Sequence, residues 1–213
     1  MICYRFATYA TPLRTVPAAL PARYSRGDED EPTQYLALHP LGPLAELMRN
    51  ADLRSPDQVR AVQTRTWALE VPLDDLPEIG FDTADQLDIS AEDLVADDRS
   101  ACQQLAAELR GQVPGIVVPS AALPATRNVV LFGPRVAAPY LTEPVSALDI
   151  PASITAEHAR PLFSLLDIVR FVGDPHPALE AWQQGVSFSF VEPEWALTRE
   201  RRTETRTQRI PYT

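Results

Sequence analysis

Ten residues have side chains whose types and positions could support chemistry. They combine a single carboxylate with phenols, guanidinium groups, imidazoles, a hydroxyl and an amide: Arg5, Arg23, Tyr24, Tyr35, His39, Glu46, Ser120, Asn128, His158 and His176. Histidine and carboxylate side chains can bind a metal, and a serine beside a histidine can act as a nucleophile. These two kinds of chemistry are therefore the first to compare with the spacing.

The spacing supports neither kind of site. The three histidines lie in or beside proline-rich turns or at a helix start, and none is placed to share a metal with another histidine or a carboxylate. Ser120 lacks the Gly-x-Ser-x-Gly context of a nucleophile turn, and no Gly-x-Gly-x-x-Gly or P-loop motif is present. Cys3 and Cys102 are too few and too far apart for a disulfide framework, and they fit ordinary core positions.

The charge distribution argues against a nucleic-acid binder. The net charge is −10, whereas binding to phosphates requires a basic face. All cations are arginines, and residues 70–98 carry eleven acidic side chains and no basic one. That stretch fits a solvated, loop-rich surface, with a docking face for a basic partner as the alternative. Residues 198–213 carry five arginines and two glutamates, and they could fold back, contact a partner or stay mobile.

The length and the apolar runs limit the number of domains and the possible membrane segments. A chain of 213 residues suits one domain with a core, or one domain with an appendage. No run approaches the roughly 18 apolar residues that cross a bilayer, and the N-terminus lacks the zones of a signal peptide. The sequence therefore predicts a cytoplasmic protein without a membrane partner.

Periodicity and turn residues predict an α+β fold with antiparallel or mixed sheets flanked by helices. Pro43 suits the first turn of a helix, and Gly111 suits the end of another. The expected elements are a strand at 2–6, loop from 10 to 32, a strand at 33–38, a helix at 41–51, a strand at 59–71, a helix at 98–110, strands at 114–120 and 127–132, and helices within 161–173 and 176–185. Strands before and after a helix do not form a doubly wound βαβ series.

The segment QYLALHPLGPLAELMR places Tyr35 on a predicted strand and Glu46 inside the next helix, eleven positions later. Together with CYRF near the N-terminus, ARYSRG in the early loop, GIVVPSA and NVVLF, this order resembles the RES-domain family, the toxins of Xre–RES toxin–antitoxin systems. The resemblance covers roughly residues 2–135. Its most specific parts are the Tyr-to-Glu interval and the PS…NVVLF stretch.

The resemblance implies an ADP-ribosyltransferase-like fold that binds NAD and cleaves its nicotinamide–ribose bond by phosphorolysis or hydrolysis. It implies a catalytic RES domain at residues 1–140, with residues 141–213 as an extension packed on the same domain. NAD is then the substrate, inorganic phosphate is the co-substrate of phosphorolysis, and no cofactor or metal is needed. The implied partner is a cognate Xre-like antitoxin that covers the pocket, and direct binding of nucleic acid is not expected.

Carried over residue by residue, the resemblance assigns a site. Its catalytic residues are Glu46, Arg5 and Tyr35, and its substrate-binding residues are Arg23, Ser120, Tyr24 and Asn128. The loop ARYSRG lacks the Asn-Pro of the family's G-x-R-W-N-P-x-G pattern and has Tyr24 where tryptophan is usual. Arg26 is therefore an alternative to Arg23 as the loop arginine. Asn128 would support the loop of Ser120.

The residue types suit the implied reaction. When nicotinamide leaves, positive charge develops on the ribose, and the Glu46 carboxylate would stabilise it. Arg5 and Arg23 would hold the phosphates, because guanidinium groups match phosphate oxygens in pairs. Tyr35 offers a ring face and a hydroxyl. Ser120 could bond the carboxamide of the substrate or position Glu46.

Two other functions remain open at this stage. A protein ADP-ribosyltransferase on the same fold would label a target, although no Glu-x-Glu lies beside a plausible Ser-Thr-Ser strand. A catalytically silent interaction module would release no nicotinamide. Taken singly, Tyr35 fits a core tyrosine, Glu46 a solvated helix residue, Arg5 an ion-pair partner and Ser120 a turn former. Their joint occurrence in the family's order favours the NAD-degrading function.

Overall fold

The computed structural model describes residues 2–6, 20–62, 66–70, 76–133 and 165–191. The strands in these ranges are β1 (Ile2–Phe6), β2 (Thr33–Ala37), β3 (Thr66–Glu70), β4 (Gly115–Pro119) and β5 (Arg127–Phe132). The helices are α1 (Gly42–Asn50), α2 (Pro56–Arg60), α3 (Ser100–Leu109), α4 (Leu165–Ile168) and α5 (Pro177–Gln183), with a 3-10 helix at Ala84–Leu87. The predicted α+β class is confirmed.

The five strands form one sheet in the order β3-β1-β2-β5-β4, with antiparallel pairing between all neighbours. In the register of this sheet, Asn128 of β5 lies opposite Ala37 of β2 and Val118 of β4. Tyr35 of β2 lies opposite Val130 of β5. The sheet therefore places the strands of Tyr35 and Asn128 side by side, although they are far apart in the sequence.

Helix α1 begins directly against the sheet. Pro43 lies in its first turn, as predicted, and Met48 is fully buried on its inner face. A Cβ on Gly42 would lie only 2.4 Å from the Cβ of Ala37 in β2. The absence of a side chain at Gly42 thus permits this close approach, which fixes the position of Glu46 one turn later.

The strand predicted over residues 59–71 is wrong in its first part. Residues Pro56–Arg60 form helix α2, and only the later part becomes strand β3. The hydroxyl of Ser55 accepts a hydrogen bond from the Gln58 backbone N–H at 3.3 Å, and the Gln58 side chain accepts one from the Ser55 N–H at 3.0 Å. This capping box, with Pro56 at the first helical position, outweighs the alternation of apolar residues.

Buried side chains form two clusters. One joins α3 and the stretch from 79 to 95 to strands β4 and β5. The other packs α1 against residues 165–171, and its buried members are Leu41, Leu44, Ala45, Met48, Val59, Ala122, Leu123, Leu165, Val169 and Phe171. In the described part of the acidic stretch, Ile79 and Leu94 are buried whereas most carboxylates are exposed. The basic stretch 198–213 lies outside the described residues.

Gly42→Ala should destabilise the protein, because the added methyl group would overlap the Ala37 side chain and force α1 away from the sheet. We expect the free energy of unfolding to fall by about 1–3 kcal/mol, although alanine gains up to about 1 kcal/mol over glycine in helix propensity. Urea denaturation measures this change. Gly80→Ala is the matched control, since the only close contact of its Cβ would be with the Asp82 carboxylate, which can rotate away, and the Thr83 hydroxyl lies at 4.0 Å. Equal losses in both variants would contradict the packing argument.

Candidate active site

A cleft of about 410 Å³ lies between the sheet, helix α1 and the loop that follows residue 20. Six of the seven residues assigned from the sequence line it: Arg5, Arg23, Tyr24, Tyr35, Glu46 and Asn128. The seventh, Ser120, is buried behind the wall between Pro119 and Ala121, which both line the cleft. The structure therefore brings the whole assigned set to one place.

The Glu46 carboxylate is held by two side chains from the sheet. Its Oε1 accepts a hydrogen bond from Asn128 Nδ2 at 2.8 Å and another from Ser120 Oγ at 3.2 Å. Asn128 lies within β5, and Ser120 directly follows β4. Within the part of the chain that the structure describes, Oε2 accepts no hydrogen bond. One oxygen is thus fixed by the protein, and the other can serve a ligand.

Ser120 positions the carboxylate and is not a nucleophile. Its Oγ accepts hydrogen bonds from the backbone N–H groups of Ala122 at 3.3 Å and Leu123 at 3.0 Å. A hydroxyl has one proton to donate, and that proton goes to Glu46. Two roles were open for Ser120, a bond to the carboxamide of the substrate or a bond to Glu46. Because Ser120 is only 1% exposed, its contact is with Glu46.

His176 supports the turn of Ser120 from the far side. Its Nδ1 accepts a hydrogen bond from the Leu179 N–H at 3.2 Å at the start of α5, and its Nε2 lies 3.1 Å from the Ser120 carbonyl oxygen. Since Nδ1 is an acceptor, the neutral ring carries its proton on Nε2 and donates it to Ser120. Burial lowers the pKa of His176 to about 4, and the charges of Arg170 and Arg49 act in the same direction.

The two tyrosines hold the early loop against the sheet. The Tyr35 hydroxyl accepts a hydrogen bond from the backbone N–H of Tyr24 at 3.0 Å. Burial raises the pKa of Tyr35, so the phenol stays protonated. Tyr24 is 2% exposed and belongs to the larger core cluster. Tyr35 therefore anchors the loop with its hydroxyl while its side chain lines the cleft.

Arg5 and Arg23 contribute positive charge to the cleft. Arg5 Nη1 lies 3.5 Å from Gln34 Oε1, and Arg23 Nη1 lies 3.4 Å from the carbonyl oxygen of Leu94. Burial lowers the pKa of Arg5, yet a guanidinium remains charged in proteins. Arg26, the alternative loop arginine, is exposed and is not among the lining residues. Of the two loop arginines, Arg23 is thus the one in the cleft.

Besides Tyr4 and Thr33, sequence reasoning missed three polar residues of the cleft, Arg49, Asn50 and Arg99. Arg49 and Asn50 lie three and four positions after Glu46, a helical spacing that could have placed them on the same face. Arg99 directly precedes α3, and its Nη2 lies 3.5 Å from Asn50 Oδ1. No local pattern connects position 99 to position 50, so only the fold reveals this contact.

Arg49 is also part of a charge network with Asp97 and Arg170, in which both arginines are buried and the carboxylate is partly exposed. Its Nη1 donates to the carbonyl oxygen of Arg170 at 3.0 Å, and its Nη2 bonds the Asp97 carboxylate. Arg170 Nη1 and the Gly173 N–H also donate to Asp97, at 2.8 and 2.7 Å. Burial alone would raise the pKa of Asp97, but these hydrogen bonds and both cations hold it at about 2. The network ties residues 170–173 to α1 beside the cleft.

The remaining candidates lie elsewhere. His39 Nδ1 accepts the N–H of Leu41 at 3.2 Å, and its ring contacts Phe190 edge-on, so it has a local structural role outside the cleft. His158 lies outside the described residues. Among the described residues, no cluster of histidine, cysteine or acidic side chains is arranged to hold a metal ion. None of the described helices combines the length and apolar character needed to span a bilayer.

No model of a known protein family matches the sequence, and no curated protein matches it. The resemblance to the RES-domain family therefore stays a prediction, supported by the motifs of the chain. The residues that the resemblance grouped together, from position 5 to position 128, lie around one cleft.

His176 should make stability depend on pH in a defined window. Its pKa falls from 6.5 to about 4 on folding, so the unfolded state binds more protons in between and stability is lost as the pH falls through that window. The loss between about pH 7.5 and pH 5 should be about 2 kcal/mol. His176→Asn keeps a helix-capping acceptor but cannot titrate. Urea denaturation at both pH values should show a smaller loss for this variant, and equal losses would contradict the assignment.

Proposed function

We propose that the protein degrades NAD by cleaving the bond between nicotinamide and ribose, as a toxin of the RES-domain family acting in the cytoplasm. The proposal includes an ADP-ribosyltransferase-like fold with its catalytic domain at residues 1–140. The observation that carries it is the Glu46 carboxylate, with one oxygen fixed by Ser120 and Asn128 and its side chain lining a cleft with several arginines.

The fixed carboxylate suits the charge change of this reaction. The C–N bond breaks and its electron pair passes to the pyridinium nitrogen, so that nicotinamide leaves as a neutral ring. The ribose carbon becomes cationic until an oxygen of water or phosphate forms the new C–O bond, and attacking water loses a proton. An anion held in place before the reaction stabilises this transition state more than the ground state. In this proposal Glu46 Oε2 faces the ribose.

The arginines suit the phosphates of the substrate. The chain as a whole carries a net charge of −10 and would repel a dinucleotide. Arg5 and Arg23 line the same cleft as Glu46 and reverse the sign of the field locally. A volume of about 410 Å³ lies within the range of small-molecule sites. The cleft thus has both the space and the charge pattern for a phosphorylated ribosyl ligand.

A toxin of this kind requires control of its site. We therefore include in the proposal a cognate Xre-like antitoxin that binds over the cleft and excludes NAD. A gene beside the one for this protein that encodes a DNA-binding antitoxin would support this partner. Co-purification of the two proteins with loss of nicotinamide release would test it directly.

Glu46→Gln should abolish nicotinamide release from NAD, because the amide has the shape of the carboxylate but not its charge. We expect a loss of at least about 100-fold in kcat. Purified protein is incubated with NAD, with and without phosphate, and the ribosyl product is identified by mass. Glu108→Gln, on an exposed glutamate of α3, is the matched control. Wild-type activity in Glu46→Gln would contradict the proposal, and a labelled protein without free product would indicate protein ADP-ribosylation.

Asn128→Asp should impair the reaction without a change in side-chain shape. The substitution places a second carboxylate at the position from which Asn128 Nδ2 donates to Glu46 at 2.8 Å. Two carboxylates this close share one proton near neutral pH, which raises the pKa of the pair and spreads the remaining single negative charge over both side chains instead of fixing it on Glu46. We expect kcat at pH 7 to fall about 10- to 100-fold. A kcat equal to that of the wild type would show that Asn128 does not act on Glu46.

A further inference from the structure

The first turn of α3 positions two arginines of the cleft. Arg99 directly precedes this helix. Gln103, one turn later, donates from Nε2 to the carbonyl oxygens of Ala22 at 2.9 Å and Ser25 at 3.2 Å, and thereby fixes the loop that carries Arg23. Both Arg23 and Arg99 line the cleft. The same helix turn therefore positions both guanidinium groups.

Neither arginine has a carboxylate partner among the described residues. Arg23 bonds the Leu94 carbonyl oxygen at 3.4 Å and contacts the buried Cys102 thiol, and Arg99 bonds Asn50 Oδ1 at 3.5 Å, within that part of the chain. Three exposed arginines elsewhere do pair with acidic residues: Arg54 with Asp52, Arg60 with Asp57 and Arg127 with Glu78. In a chain with 29 acidic and 19 basic residues, two cleft arginines without such partners indicate a site for an external anion.

The charge network of Arg49, Asp97 and Arg170 adds to the positive charge. Arg49 and Arg170 both bond Asp97, so two cations share one anion and the group carries a net charge of about +1 at neutral pH. Arg49 lines the cleft, and both arginines are at least nine-tenths buried. Burial limits the screening of this charge by salt. The end of the cleft at Arg23 and Arg99 is therefore positive, because the arginines that line it and the charge network next to them both carry positive charge.

The distance from this end to Glu46 is set by α1. Asn50, which contacts Arg99, lies four residues after Glu46, about one helical turn or roughly 6 Å along the axis. Residues four apart lie on the same face of a helix. That separation is comparable to the span between the anomeric carbon and the 5′-phosphate of a single ribosyl phosphate. A dinucleotide is not needed to reach from one group to the other.

We propose that Arg23 and Arg99 form a subsite for the 5′-phosphate of the ribosyl group whose anomeric carbon faces Glu46. The protein then cleaves nicotinamide mononucleotide as a substrate in its own right, besides NAD. This inference rests on the proposed function of the same cleft. The C–N bond of the mononucleotide breaks with its electron pair on nicotinamide, and water or phosphate supplies the oxygen of the new bond. The products are nicotinamide with ribose 5-phosphate and a proton, or with ribose 1,5-bisphosphate.

Three substrates that differ in phosphate content test the subsite. Nicotinamide release is measured for NAD, nicotinamide mononucleotide and nicotinamide riboside, which lacks the phosphate. We expect kcat/KM for the mononucleotide to be within about 10-fold of that for NAD and at least about 100-fold above that for the riboside, because charged hydrogen bonds to the phosphate are lost with the riboside.

Arg99→Gln identifies the residue responsible. It should lower kcat/KM for both phosphorylated substrates by about 10- to 100-fold and leave the riboside unchanged. Arg60→Gln removes an exposed arginine outside the cleft and should change none of the three values. An equal loss for the riboside would show that Arg99 acts on folding or on Glu46 and would overturn the subsite.

The outcomes separate this inference from the proposed function. If NAD is cleaved but the mononucleotide is no better than the riboside, the subsite is wrong and the function stands. If no substrate is cleaved, the proposed function fails, and calorimetric titration of ribose 5-phosphate into the wild type and Arg99→Gln still tests the subsite. Binding that is weakened by the substitution supports it, and the absence of binding overturns it.

Discussion

The candidate site depends on one interaction, the pair of hydrogen bonds that fixes Glu46 Oε1 to Ser120 and Asn128. A glutamate side chain on a helix surface has several rotamers, and ordering them costs entropy. Two donors, one within β5 and one directly after the neighbouring strand β4, offset that cost and select one orientation. The close start of α1 at Gly42 sets the helix at the right distance, and His176 holds the Ser120 turn from behind. The main sheet and the segment 165–191 thus both contribute to the placement of one carboxylate.

The second constraint is electrostatic. A chain with a net charge of −10 needs a local excess of cations to attract a phosphorylated ligand. The cleft supplies it through Arg5, Arg23 and Arg99, and two further buried arginines, Arg49 and Arg170, share the Asp97 carboxylate. Glu46 lies on α1, and Asn50, which contacts Arg99, lies about one turn later on the same helix. This arrangement suits a ligand whose ribose becomes cationic during the reaction and whose phosphate is anionic throughout.

Short-range sequence signals predicted the elements better than their contacts. Apolar strands and the proline at the start of α1 were recognisable, whereas a capping box at Ser55 overrode the alternation that predicted strand from residue 59. The set around Glu46 was found through the resemblance, because each member alone has an ordinary structural explanation. His176 and Arg99 were not assigned, since their partners Ser120 and Asn50 are 56 and 49 positions away. Such contacts depend on the completed fold and leave no local pattern.

A structure of the Glu46→Gln variant with bound NAD tests the central claim most directly. The account predicts that the anomeric carbon of the nicotinamide ribose lies within about 3–3.5 Å of the residue 46 side chain, as in a near-attack geometry. It also predicts that the 5′-phosphate of this ribose contacts Arg23 and Arg99. NAD bound with its adenosine end at residue 46, or bound outside this cleft, would contradict the account.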